Sequence, residues 1–143
     1  MRVALPNGNY AYGRLLTSPY IAFYDLQTNN ASMDLQAICQ LPVLFVIAVH
    51  LSGLGRVGWD LIGNVPLEPA LRKPVENFIQ DSADFTNCRI IDDQGNVRAA
   101  HVSECVGLER AAVWEPEHVE ERIMDHYAGR SNFWTERMKP NIS

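Results

Sequence analysis

Apolar and polar positions alternate in short runs over the first third of the chain, and turn residues punctuate the runs. Asn7-Gly8 sits between Val3 to Leu5 and Tyr10 to Leu16. That dipeptide tolerates the positive φ of a tight two-residue turn, so the spacing predicts a hairpin with those stretches as arms. A further turn at Ser18-Pro19 leads into YIAFYDL, another strand of the same meander. Ser32 is placed to cap a short helix through Cys39 with Leu35, Ile38 and Cys39 facing inward, and Pro42 ends it. Val43 to His50 is an almost unbroken run of branched and aromatic residues, which predicts a central strand buried on both faces. Gly53, Gly55 and Gly58 then interrupt the chain before WDLIGNVPL, read as a further strand. Pro66, Pro69 and Pro74 mark a surface crossing, Phe78 and Ile79 open a short extended piece, and CRIIDD and NVRAAHV flank Gln94-Gly95 as a second hairpin.

Beyond Ser103 the pattern turns helical. Pro116 suits a first helical turn, where its missing N–H costs nothing, and Gly129 suits the position just past the end. Between them Val119, Ile123 and Tyr127 recur every fourth residue and form a stripe that should lie against a core. Trp114 stands where a hydrophobic staple to Val119 would begin. A second stripe, Glu117, Glu121 and Asp125, has the same spacing, with Glu120 beside it. Like charges four apart oppose an isolated helix by roughly 0.2–0.5 kcal/mol per pair. The helix N-terminus relieves part of that cost at Glu117, and a solvated face or a docking surface for a basic partner both suit the rest.

These elements predict an α+β fold: a curved, mainly antiparallel β-sheet or partly open barrel, with a short helix and a C-terminal helix packed on it. With 143 residues and no repeat or low-complexity tract, a single domain over residues 1–143 is the expectation. Cys39, Cys88 and Cys105 are an odd set without metal-type spacing, and no apolar run approaches the roughly 18 residues of a membrane span. The expected location is therefore the cytoplasm, with neither a membrane nor an oxidising compartment implied. A net charge of −5 argues against attraction to nucleic acid and favours neutral molecules or basic proteins. Lys73 and Lys139 are the only lysines, so most positive charge is arginine, the better residue for fixed ion pairs.

Catalytic motifs are missing from the sequence. GRVGW lacks the Lys-Ser/Thr of a phosphate loop, and HVEER lacks the second histidine of a zinc-protease helix. His118 and His126 stand two helical turns apart, too far to share a metal. Asp92-Asp93 before Gln94-Gly95 reads as turn chemistry, and Asp81 and Asp84 as loop residues. His101, Cys105 and His126 are the residues an enzyme reading would use, as acid, base or nucleophile acting on a small metabolite in a cleft between sheet and helix. Tyr10, Tyr12, Tyr20, Phe23 and Tyr24 could stack bases in a nucleic-acid-binding barrel. Arg2 and Arg14 are the only positively charged side chains among the first fifty residues, so core packing suits these aromatics better.

Five blocks carry a family resemblance: AYGRLL at Ala11 to Leu16, IAFYDL at Ile21 to Leu26, IGNVPLE at Ile62 to Glu68, FIQD at Phe78 to Asp81, and GLERAAVWEPEHVEERIMDHYAGR at Gly107 to Arg130. In order and spacing they resemble the immunity protein 26 family of bacterial polymorphic toxin systems, over nearly the whole chain. The resemblance implies a non-catalytic protein without cofactor or metal that binds and neutralises a cognate toxin domain in the cytoplasm. Many such toxins are nucleases with basic channels. An acidic inhibitor suits them, and Glu117, Glu120, Glu121 and Asp125 are the toxin-facing candidates.

Overall fold

The computed structural model describes residues 1–31 and 34–142. Its strands are β1 (Arg2–Ala4), β2 (Tyr10–Leu15), β3 (Tyr20–Thr28), β4 (Val43–Val49), β5 (Trp59–Asp60), β6 (Glu76–Gln80), β7 (Cys88–Asp92), β8 (Val97–Ala100), β9 (Glu109–Arg110) and β10 (Val113–Trp114). Its helices are α1 (Leu35–Ile38), α2 (Val102–Cys105), α3 (Pro116–Ala128) and α4 (Phe133–Met138), with 3-10 turns at Leu51–Gly55 and Pro69–Arg72. The fold is α+β. Two compact units divide the chain, residues 1–72 with 113–132 and residues 73–112 with the stretch from Phe133 onward.

The first unit holds a curled sheet in the order β10-β4-β3-β2-β1-β5, antiparallel except for the β10–β4 pair. Gly8 takes φ +86 in the β1–β2 turn, and that turn brings Val3 opposite Ala11. β2 and β3 form the middle of the sheet, and Ala11, Tyr12, Ile21, Ala22, Phe23 and Tyr24 are buried there. The early aromatics therefore serve the core: Phe23 packs edge-on against Trp59 at 6.1 Å and meets Phe45 at 5.4 Å.

Two expectations need correction in this unit. β4 is not central, since only the two-residue β10 lies beyond it, and Val43 to Val46 are half-buried while Ile47 to Val49 are buried. An apolar run long enough to be covered on both sides is covered fully only over its second half. WDLIGNVPL is a strand only at Trp59–Asp60. Gly63 and Pro66 interrupt pairing, and the remainder runs irregularly, with Gly63 so close to α1 that a Cβ there would overlap Leu35 Cδ1. β1 is paired on both sides, by β2 and by β5. The predicted cap Ser32 lies outside the described residues; α1 is capped by Asp34, whose side chain accepts from Gln36 N at 2.9 Å.

In the second unit the sheet order is β8-β7-β6-β9, with β9 parallel to β6. Phe78, Cys88, Ile90 and Cys105 form its core. Gly95 takes φ +87 in the β7–β8 turn, and Asp92 organises that turn by accepting from Gln94 N, Asn96 N and Asn96 Nδ2, each at 2.9 Å. The turn chemistry read from Asp92-Asp93 is thus what the side chain does. The region beyond Ser103 is less helical than its pattern suggests: α2 ends at Cys105, and β9 and β10 precede α3.

Candidate functional site

Helix α3 runs between its predicted limits. Pro116 occupies its first turn, and Gly129 ends it in the left-handed conformation at φ +70, donating to the Asp125 and His126 carbonyls. Val119 and Ile123 are buried, and Tyr127 donates to Asp25 Oδ1 at 2.9 Å. Arg122 adds a contact that hydrophobic periodicity does not reveal. Its guanidinium lies 3.8 Å from the centroid of Phe45 and 5.1 Å from that of Trp114, so the arginine joins α3 to β4 and β10 through ring faces. Trp114 and Val119, the two staple positions, are both buried.

The four acidic candidates separate by environment. Glu121 is exposed and has no ion pair among the described residues. Glu117 is also exposed, and it meets Arg56 Nη1 at 3.6 Å. Glu120 is buried at 4% exposure, and its Oε1 lies 3.3 Å from Arg56 Nε. Asp125 is half-buried, accepting from Arg130 Nε at 3.2 Å and from Asn132 Nδ2 at 3.0 Å. One residue not anticipated, Arg56, therefore gathers Glu117 and Glu120. It lies within the Gly53 to Gly58 stretch that reads in sequence only as a chain break; its sole visible signal is being the one charged residue there.

Arg56 also fixes the loop beside α3. Gly53 is buried, and a Cβ on it would stand 3.4 Å from Pro116 Cγ, so the 3-10 turn comes close to the helix start. Next to Arg56, Val57 is 97% exposed. This face of the first unit thus presents the carboxylates of Glu117 and Glu121 together with an apolar loop tip.

The residues an enzyme would need are differently employed. Cys105 is fully buried, and its thiol meets the backbone carbonyl of His101 at 3.8 Å. Burial first, and then the neighbouring Cys88 thiol, push the Cys105 pKa up, which opposes formation of a nucleophilic thiolate. The His101 ring caps α2: Nδ1 lies 3.2 Å from Ser103 N, and Glu104 accepts from His101 N at 2.7 Å. That amide bond, followed by Arg98, holds the Glu104 carboxyl below its ordinary value. His126 is exposed and sits edge-on to the Tyr127 ring at 4.9 Å. Among the described residues no three His, Cys, Asp or Glu side chains group as potential metal ligands, and no helix is long and apolar enough to cross a membrane.

A cavity of about 390 Å³ opens in the first unit among β2, β3, α1 and residues 61–67. Tyr12, Tyr24 and Ile38 are buried residues in its lining. Arg14, the charged side chain that lines it, donates to Cys39 Sγ at 3.2 Å and to the Val65 carbonyl, and stands 3.3 Å from Glu68. Tyr24 donates to the other Glu68 oxygen at 2.8 Å; burial and then this bond raise the pKa of its hydroxyl.

A family model described as Immunity protein 26 matches residues 1–89. The chain belongs to the immunity protein 26 family. No curated protein and no solved structure matches it. The family match covers β1 to β6, the Arg56 loop and the cavity, and it ends before Gly107 to Arg130, the longest of the family-like sequence blocks. Within this immunity protein, Arg14, Arg56 and Glu68 fall inside the matched segment, whereas Glu117, Glu120, Glu121 and Asp125 fall outside it.

Proposed function

We propose that this protein binds a cognate toxin domain of a bacterial polymorphic toxin system and neutralises it in the cytoplasm by occupancy, without catalysis. Membership in an immunity protein family carries this reading. The employment of Cys105 and His101 in packing and capping supports it. The toxin-facing surface is the acidic side of α3. Glu117 and Glu121 make the direct contacts, while Glu120 and Asp125 hold that face in place through Arg56, Arg130 and Asn132. A toxin with a basic substrate channel, such as a nuclease, is the partner whose charge complements it. Exposed carboxylates accelerate encounter with such a partner and leave most of the affinity to apolar contact.

Co-expression with the toxin encoded beside this gene tests the proposal. Rescue of growth and co-purification of the two chains is the expected result; persistent lethality without a complex would overturn the assignment for that pair. For the surface, Glu117→Lys combined with Glu121→Lys should leave the isolated fold intact and slow association by about tenfold at low salt. Unchanged association kinetics would place the interface elsewhere.

A further inference from the structure

The cavity of the first unit has the construction of a ligand site, and toxin binding gives it no task. Its volume of about 390 Å³ falls in the range of small-molecule pockets. Leu35, Ile38 and Ile62 make its walls apolar, and Leu61, 67% exposed, stands at the rim. Only 12% of the Arg14 side chain is accessible, yet Arg14 is part of the lining. Its charge is matched by Glu68 at 3.3 Å, but its hydrogen-bonding capacity is not exhausted. A guanidinium has five N–H groups. Cys39, Val65 and Glu68 engage Nη1 and Nη2, and Nε–H has no partner among the described residues.

A neutralised guanidinium with donors to spare selects against ions. An anion entering the cavity would compete with Glu68 for Arg14, and a cation would meet the guanidinium; each would lose its hydration for an incomplete counter-charge. A neutral acceptor oxygen loses less on desolvation and still gains a hydrogen bond to a charged donor. Other donors line the cavity as well: the Asn64 amide, and the Met1 amino group, which gives one N–H to the Gly13 carbonyl at 2.9 Å and which burial, then Arg14, pushes toward its neutral form, while Tyr24 is committed to Glu68. We propose that this cavity binds a small, largely apolar, neutral molecule through a carbonyl oxygen that accepts from Arg14. The inference stands apart from toxin neutralisation and does not depend on it.

The test is a nuclear magnetic resonance titration of the full chain with cyclohexanone, ε-caprolactam, cyclohexanecarboxylate, cyclohexylammonium and methylcyclohexane. Cyclohexanone and caprolactam should shift the Tyr12, Tyr24, Ile38 and Leu61 resonances saturably, and bind about tenfold or more tighter than the other three, the difference one charge-assisted hydrogen bond makes. Leu61→Trp, at the exposed rim, should fold and close the cavity, abolishing those shifts. Arg14→Lys, which keeps the charge beside Glu68 and removes the planar donor set, should erase the preference for the carbonyl probes. Equal binding of methylcyclohexane would reduce the site to an apolar hollow and overturn the proposal. Tighter binding of the carboxylate, or an absence of saturable shifts at these residues, would overturn it as well. The probe ranking on the unaltered chain decides the matter even if Arg14→Lys fails to fold.

Discussion

Two of the contacts between arginine and carboxylate in the first unit, at Arg56 and at Arg14, have opposite characters. At Arg56 the guanidinium is 39% accessible and Glu117 is 55% accessible, while at Arg14 the corresponding values are 12% and, for Glu68, 24%. The Arg56 cluster is wet on one side, so salt screens it and a partner's charges can exchange with it at small cost. At Arg14 the pair is drier; a backbone carbonyl and a thiol accept from the guanidinium, and a tyrosine hydroxyl donates to Glu68. Breaking that pair would strand a charge in a poorly hydrated place. The same residue types thus form an exposed cluster in one setting and a largely buried pair in the other, with solvent access distinguishing them.

The largest effect is expected at the drier pair. Arg14→Met should destabilise the fold by about 3 kcal/mol, because Glu68 would lose its counter-charge. Urea denaturation measures this, and adding Glu68→Gln should restore a good part of the loss. If Arg14→Met is harmless, the two arginine sites do not differ as their burial implies. Next comes Arg122→Ala, which removes the guanidinium from the Phe45 and Trp114 rings; a loss of about 1–2 kcal/mol is expected from the stacking and the buried stem together. Asp125→Ala should cost about 1 kcal/mol, since the Arg130 and Asn132 bonds that secure the end of α3 are lost with it. Glu121→Gln should change stability by no more than about 0.5 kcal/mol, as suits an exposed carboxylate without an internal partner. A Glu121→Gln effect as large as that of Asp125→Ala would erase the distinction between the carboxylates that build this helix and those that face outward.

A titration sharpens the comparison without any substitution. Burial first, and then the hydrogen bond each gives to a carboxylate, raise the pKa of the Tyr24 and Tyr127 hydroxyls above the ordinary 10.0. The folded chain therefore holds these two protons more tightly than the unfolded chain. Their contribution to stability is complete below the unfolded phenol value and is lost as pH rises from there toward the folded values. Ultraviolet titration should show Tyr24 and Tyr127 ionising above the ordinary phenol value, or only as the chain unfolds. Ionisation of either one at the ordinary phenol value would contradict its bond to Glu68 or Asp25.

Much of the local structure is legible in the chain because its signals are short-range. Asn7-Gly8 and Gln94-Gly95 specify turns through the positive φ that only a few residues accept, and Pro116 with Gly129 brackets α3. The stripe of Val119, Ile123 and Tyr127 identifies the inward face. The exposed candidates Glu117 and Glu121 follow from the same helical geometry. Glu120 shows where the reading stops. Periodicity places it beside the acidic stripe, but it is buried and paired with Arg56, 64 residues earlier. No local pattern announces a partner so distant in sequence.

Strand Val43 to Val49 and the stretch from Leu61 to Leu67 teach the same lesson from the apolar side. Hydrophobicity determined that both would be covered to some degree; it did not determine by what. β10 flanks β4 from a position more than sixty residues later, and Leu61 to Leu67 borders a cavity instead of joining the sheet. The turns, the bounds and inner face of α3, the α+β class and the family resemblance are all written in the chain. Those rest on backbone preferences and on spacing within a few residues. Which carboxylates stay in water, which arginine is held in a cavity wall and which strands lie at the centre emerge only on folding, because each depends on neighbours brought together from distant parts of the chain.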